Sequence, residues 1–212
     1  MPSVVAVDDS VADIVRPAGA ELTSVKVVVQ EPLLDGPLTE AAARLRQSTG
    51  AVEITAAVRT MYKRVGLDPT KHRPSSEALL RRVKRGDPLP RVNSLVDVIN
   101  WCSVETQLPF GLYDATRIAG QVVLRLGQGG ESYPGIRKDE VHVEGRLVLA
   151  DDHGPFGNPS SDSERTMVTE STTRALVVVF APVSLDPSIA DRALVLTIER
   201  VNAFCRQGGP GL

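Results

Sequence analysis

Aromatic residues are scarce in this chain of 212 residues, where four Phe, three Tyr and one Trp make up 4%. A core built without them has to rest on Val, Leu, Ile and Ala. Cysteine is scarcer still. Cys102 and Cys205 lie far apart and form no Cys-x-x-Cys pair, so a disulfide scaffold is not indicated, and two core thiols are the plainer expectation. The three histidines, His72, His142 and His153, show no metal-ligand spacing. His153 follows Asp151 and Asp152, which reads as a solvated turn or, alternatively, a weak cation site. No metal and no cofactor are expected.

Long apolar runs are also missing. The longest, Ala175 to Ala181, is about a third of what a membrane helix needs. Asp8 and Asp9 stand where a signal peptide would be apolar, so a cytoplasmic protein without membrane contact is expected. There is no excess of positive charge: the net charge is -2, which argues against coating DNA through global charge. The chain has no G-x-x-x-x-G-K-[ST] loop and no G-x-S-x-G elbow. Gly127-Gln128-Gly129-Gly130 follows a predicted strand but opens no helix, so it reads as a turn and not as a phosphate cradle.

What is present fits one domain. Hydrophobic residues make up 42% and charged residues 24%, and a chain of this size buries roughly 70% of its unfolded surface without metal or disulfide. Residues 1–90 read as a mainly helical part. Short strands are expected over Val4–Val7 and Val25–Val29, with a short helix over Asp9–Val15 between them. Helices are expected over Thr39–Gln47 and along the stripe Ile54, Val58, Met61 and Val65, the first followed by a break at Gly50. A further helix is capped by Ser75 or Ser76, carries Glu77 in its first turn, and ends on Arg81, Arg82, Lys84 and Arg85 before Gly86. Ser94–Val104 reads as another.

Residues 91–180 then turn to strands at Gln121–Leu126, Val141–Val143, Arg146–Ala150 and Ala175–Phe180, joined by loops at Gly127–Gly135 and Asp151–Glu164. Residues 181–206 hold a last helix opened by Asp186-Pro187, and the tail Gln207–Leu212 is expected to fray. Helices first and a sheet later predict an α+β fold.

Two stretches stand out chemically. From Arg59 to Arg91 basic residues dominate, including Arg73, Arg81, Arg82, Lys84 and Arg85. They are either solvated helix faces or a surface that contacts phosphates and so brings salt-dependent affinity. The polar run Ser160 to Thr166 is accounted for by ordinary loop chemistry.

Several ordered blocks nevertheless resemble a known family. Leu95-Val96-Asp97-Val98-Ile99-Asn100, Leu108-Pro109-Phe110-Gly111-Leu112-Tyr113-Asp114, Gly120 to Arg125, Leu149-Ala150-Asp151-Asp152 and Glu164 to Glu170 resemble the tRNA-editing domain of the phenylalanyl-tRNA synthetase beta subunit, the B three/four domain. The likeness covers Arg91 to Phe180, and Tyr62-Lys63 with Arg73 to Leu79 resembles stand-alone copies of that domain.

The resemblance implies an α/β unit with a sandwich-like sheet core and hydrolysis of tyrosine wrongly attached to the phenylalanine tRNA. It places Asn100 on the family's pocket asparagine, Glu164 on the glutamate that accepts a hydrogen bond from the misattached amino acid, and Thr166 in the same pocket. Gly111, also expected in the pocket, stands where the synthetase has a histidine, and the synthetase's other threonine-bearing segment is not visible here. The expected partner is an aminoacylated tRNA met on Arg73, Arg81, Arg82, Lys84 and Arg85, with no DNA. The expected chemistry is ester hydrolysis by an ordered water, with no residue assigned as catalytic, and the chain is not a ligase by itself. The alternative is a non-catalytic RNA-binding or interaction module on the same scaffold.

Overall fold

The computed structural model describes residues 4–48, 51–137 and 139–206. In chain order the elements are β1 (Ala6–Val7), β2 (Val15–Thr23), α1 (Asp35–Gln47), α2 (Val52–Arg64), α3 (Ser75–Lys84), α4 (Ser94–Thr106), β3 (Phe110–Asp114), β4 (Val123–Leu126), β5 (Ser132–Pro134), β6 (Glu140–His142), β7 (Leu147–Asp151), β8 (Gly154–Asn158), β9 (Ser161–Asp162), β10 (Arg174–Pro182) and α5 (Pro187–Phe204). This is an α+β fold, as the order of apolar patterns predicts. Its strands form three sheets, in the orders β1-β4-β7-β8-β9, β2-β10-β3 and β5-β6.

The run Ala175–Ala181 becomes the middle of the three-stranded sheet. It pairs antiparallel with β2 on one side and β3 on the other, and all seven residues are buried. A strand covered on both faces gains from every apolar side chain, which is why it reads as an unbroken run rather than an alternation. Leu124, Leu149 and Phe156 of the five-stranded sheet join β10 in one continuous core, and the helices pack against it. Cys102 and Cys205 are both buried in that core and are not joined to each other. Burial pushes the Cys205 thiol up to about 11, which suits an inert packing role.

Several sequence expectations are corrected. Val25–Val29 is not a strand. It has a single bridge from Val25 to Arg206, and Lys26 N–H donates to the Cys205 carbonyl at 2.8 Å, so the segment docks on the end of α5 instead of entering a sheet. The first strand of the three-stranded sheet is β2, whose Pro17 and Gly19 disguised it. As an edge strand it tolerates a proline, which lacks the N–H that an interior strand needs. Asp9–Val15 is a series of turns ahead of that strand, not a helix. Neither Ser75 nor Ser76 caps α3: the capping position falls on Pro74, whose carbonyl accepts from Ala78 N–H at 3.0 Å. The loop expected over Asp151–Glu164 contains β8 and β9. The break at Gly50 and the tail Gln207–Leu212 lie outside the described residues.

Candidate functional site

One cavity of about 370 Å3 opens between α4, β3 and the turn that links β8 to β9. Helix α4 supplies one wall. Asn93 caps it, its side chain accepting from Val96 N–H at 2.9 Å. From there Val96, Asn100 and Ser103 follow at helical spacing and line the cavity. Leu95, Val98 and Cys102 are buried in the core and Ser94, Asp97 and Ser103 are buried as well, so α4 is covered on most sides and is held firmly. Strand β3 gives a second wall through Phe110 and Leu112, residues that share a strand face.

The third wall is polar. Asn158, Pro159, Ser160, Ser161 and Asp162 all line the cavity. The Asn158 side-chain oxygen accepts from the N–H groups of Ser160 and Ser161 at 2.8 and 2.9 Å, which closes the turn locally. Two tyrosines from far along the chain then hold it. The Tyr62 hydroxyl on α2 donates to the Pro159 carbonyl at 3.0 Å and lies 2.9 Å from Ser160 Oγ. The Tyr133 hydroxyl donates to the Ser161 carbonyl at 2.6 Å and accepts from Asn158 Nδ2 at 3.0 Å. Burial raises both phenols above their ordinary range, so each stays protonated and keeps its role as donor.

Behind this wall a third tyrosine explains Gly111. Strand alternation turns Gly111 and Tyr113 to the face opposite Phe110 and Leu112. A Cβ at position 111 would overlap the Tyr113 ring and hydroxyl, and so would one at Gly157. The phenol occupies the space that both glycines leave empty, packs edge-on against Phe156 with ring centroids 4.9 Å apart, and lies within the electrostatic reach of Asp162. Burial, and then the charge of Asp162, push its hydroxyl well above the usual phenol range.

The other sequence-derived residues divide. Asn100 is half-buried in the cavity wall. Thr166 is fully buried and not among the residues that line the cavity, its hydroxyl 3.0 Å from Ser163 Oγ. Glu164 is exposed beside the cavity and is not part of its wall, although Asp162 and Met167 on either side of it are. Arg73 is bound to Glu77, which also takes a two-point bond from Arg59 at 2.9 and 3.1 Å. Arg82 donates to the Pro88 carbonyl at 2.7 Å, and Arg85 lies 3.5 Å from Asp87. Arg81 and Lys84 are exposed.

Sequence reasoning gave no site role to Tyr62, Tyr133, Asn158 or Asp162. The one signal was the scarcity of aromatics, since all three tyrosines of the chain serve this wall or its backing. Among the described residues no group of three or more His, Cys, Asp or Glu is placed to hold a metal, and no helix is long and apolar enough to cross a membrane.

The fold and cavity define an α+β domain that encloses a small polar–apolar pocket. The sequence model of the B3/4 domain matches residues 57–200, which contain every cavity-lining residue, and the chain belongs to that family. Its relatives include the beta subunit of phenylalanine–tRNA ligase from Psychrobacter arcticus, 34% identical over 87 residues, a stretch that makes up 40% of this chain and 11% of that protein. The same subunit from Cutibacterium acnes is 29% identical over 122 residues, 57% of this chain and 14% of that one. This chain therefore corresponds to a small part of those proteins. Among solved structures, an N-terminal fragment of the phenylalanyl-tRNA synthetase beta subunit from Pyrococcus horikoshii is similar, with a TM-score of 0.48 and 14% identity over 95% of this chain and 49% of that one.

Proposed function

We propose that this domain binds the acceptor end of an aminoacylated tRNA and hydrolyses a wrongly attached amino acid from it in trans. The observation that carries the reading is the cavity inside the family-matched segment, with Asn100 on one wall and the Asn158–Asp162 turn on another. Its size suits an aminoacyl group, and its mix of apolar walls with a few fixed polar groups is the usual make-up of a small-ligand site. The relatives named above are beta subunits of phenylalanine–tRNA ligases, which supports tRNA as the partner.

Hydrolysis here needs no covalent nucleophile. A water ordered by the polar turn attacks the ester carbonyl, and the charge that develops on the oxygen is met by hydrogen-bond donors at the cavity wall. Exposed Arg137 at the rim, with Arg81 and Lys84 farther off on α3, supplies cations for the RNA backbone. Deacylation of a panel of mischarged tRNAs tests the reading. At least one should lose its amino acid faster than in buffer, and no acceleration on any of them would refute it.

A non-catalytic RNA-binding role is favoured by one observation: none of the three histidines lies in the cavity wall. In that case tRNA binds with a steep salt dependence and no ester is cleaved.

A further inference from the structure

We infer that a second, small pocket behind the β8–β9 turn binds a phosphate group, held by Arg146 and His72. This pocket is not the cavity described above, so its role is independent of the hydrolase reading. It measures about 60 Å3 and is lined by Tyr62, His72, Arg146 and the turn residues Asn158 to Ser161, with Val65, Leu67, Val141 and Leu147 around them. A space of this size is far below that of a site for an organic ligand. It takes one small oxyanion or about two waters.

Arg146 is the residue that asks for a ligand. Among the described residues it is the one arginine that is part-buried and yet has no hydrogen-bond or ion-pair partner for its guanidinium; others without one, such as Arg16 and Arg117, are exposed. A guanidinium partly withdrawn from water is unfavourable there until its donors are met. Its root is fixed just ahead of β7, where Arg146 N–H donates to the Val143 carbonyl and the Arg146 carbonyl accepts from Gly127 N–H, both at 2.9 Å. Its charge is felt at the Tyr133 phenol, which bonds Asn158 and Ser161, so the guanidinium stands near the turn.

No Asp or Glu is among the described residues that line the pocket. The acid closest to His72 in sequence, Asp68, turns one carboxylate oxygen to Thr70, 2.8 Å from its N–H and 2.7 Å from its Oγ1. The flat fork of Arg146 matches two oxygens of a phosphate, and the His72 imidazole has an N–H for a third. A carboxylate has only two oxygens, whereas a tetrahedral phosphate serves both side chains at once. Asn158 to Ser161 line both this pocket and the cavity. An anion seated here therefore bears on the cavity wall from behind and couples the two sites.

The test uses the full chain and inorganic phosphate, compared with chloride at equal ionic strength and fixed pH. In proton NMR the imidazole signal of His72, assigned through His72→Gln, should shift as phosphate is added, while those of His142 and His153 stay. The phosphate affinity read from phosphorus NMR should fall at least tenfold in Arg146→Gln. It should stay within threefold in Arg16→Gln, a change at an exposed arginine that does not line the pocket. A tRNA transcript separates the sources: displacement of free phosphate assigns the site to the RNA backbone, and simultaneous binding assigns it to free phosphate. An unmoved His72 signal, or equal phosphate affinity in the native chain and Arg146→Gln, overturns the site. Should Arg146→Gln fail to fold, the His72 signal of the native chain still decides.

Discussion

The two ends of helix α3 differ in almost every physical respect. The helix has ten residues, which puts its ends about 15 Å apart. At the first residue Ser75 lines the cavity with its Oγ buried and unpartnered among the described residues, and next to it the Ser76 hydroxyl donates to the Gln107 carbonyl at 3.1 Å. At the far end stand Arg81, Arg82, Lys84 and Arg85. The cation-rich end is the one that drew notice in the sequence, yet much of its charge has a local account. Arg82 caps the chain at Pro88, Arg85 meets Asp87, and Arg46 from α1 donates to the Val83 and Gly86 carbonyls at 3.2 and 3.1 Å. Cations there also complement the helix dipole. The end that borders the cavity carries charge of both signs, Glu77 paired with Arg59 and Arg73. Charge density and site are separate signals in this molecule.

Substitutions can sharpen that contrast, and the largest effect belongs to the cavity side. Gly111→Val drives a branched side chain into the Tyr113 ring, which is fully buried and pinned against Phe156. Overpacking of this kind costs about 3 kcal/mol, so the urea midpoint should fall sharply. Unchanged stability would mean that Tyr113 has room to move and that the glycine is not needed for it.

A smaller effect comes from the support of β8. Arg165 makes a two-point bond to the Asp151 carboxylate at 2.9 Å on each arm and lies over the Phe156 ring at 5.6 Å. Burial alone would raise the Asp151 carboxyl, but the Arg165 bonds and the N–H groups of Ala119 and His153 outweigh it and hold it below the ordinary range. A depressed carboxyl stabilises the fold above the pKa of the unfolded state, about 3.9, and that stability is lost as pH falls through the lower folded value. Arg165→Met should therefore cost about 2 kcal/mol at neutral pH, at the low end for a pair with one partner part-exposed. The gap from the native chain should narrow below about pH 4. Chemical denaturation at pH 6 and pH 3 checks this, and a gap of equal size at both would assign the loss to packing instead.

How much was legible follows from where the determining interactions lie. Helices α2, α4 and α5 carry their own periodicity, and β10 declares itself because both its faces are covered. Asn100 was reachable through the family resemblance. The polar wall was not. Asn158 to Asp162 sit in a Gly-, Pro- and Ser-rich segment that reads as loop, and their order comes from Tyr62 and Tyr133, 97 and 28 residues away along the chain. Nothing local encodes such pairings. Glu164 was reached through the family resemblance, but it is exposed, and the acid among the residues that line the cavity is Asp162, two residues earlier at the end of β9.

The smallest effect on stability, and the sharpest test of the cation-rich end, comes from Arg81→Ala with Lys84→Ala. Both side chains are exposed, so the double substitution should move the unfolding free energy by no more than about 0.5 kcal/mol. If the two cations contact phosphates of a single-stranded acceptor end, the slope of log affinity against log salt should shrink by about 1.4. Titration of tRNA at several salt concentrations gives that slope directly. A slope identical to that of the native chain would reduce these residues to helix-end charges. RNA contact would then fall to cations nearer the cavity, with Arg137 at its rim the first to substitute.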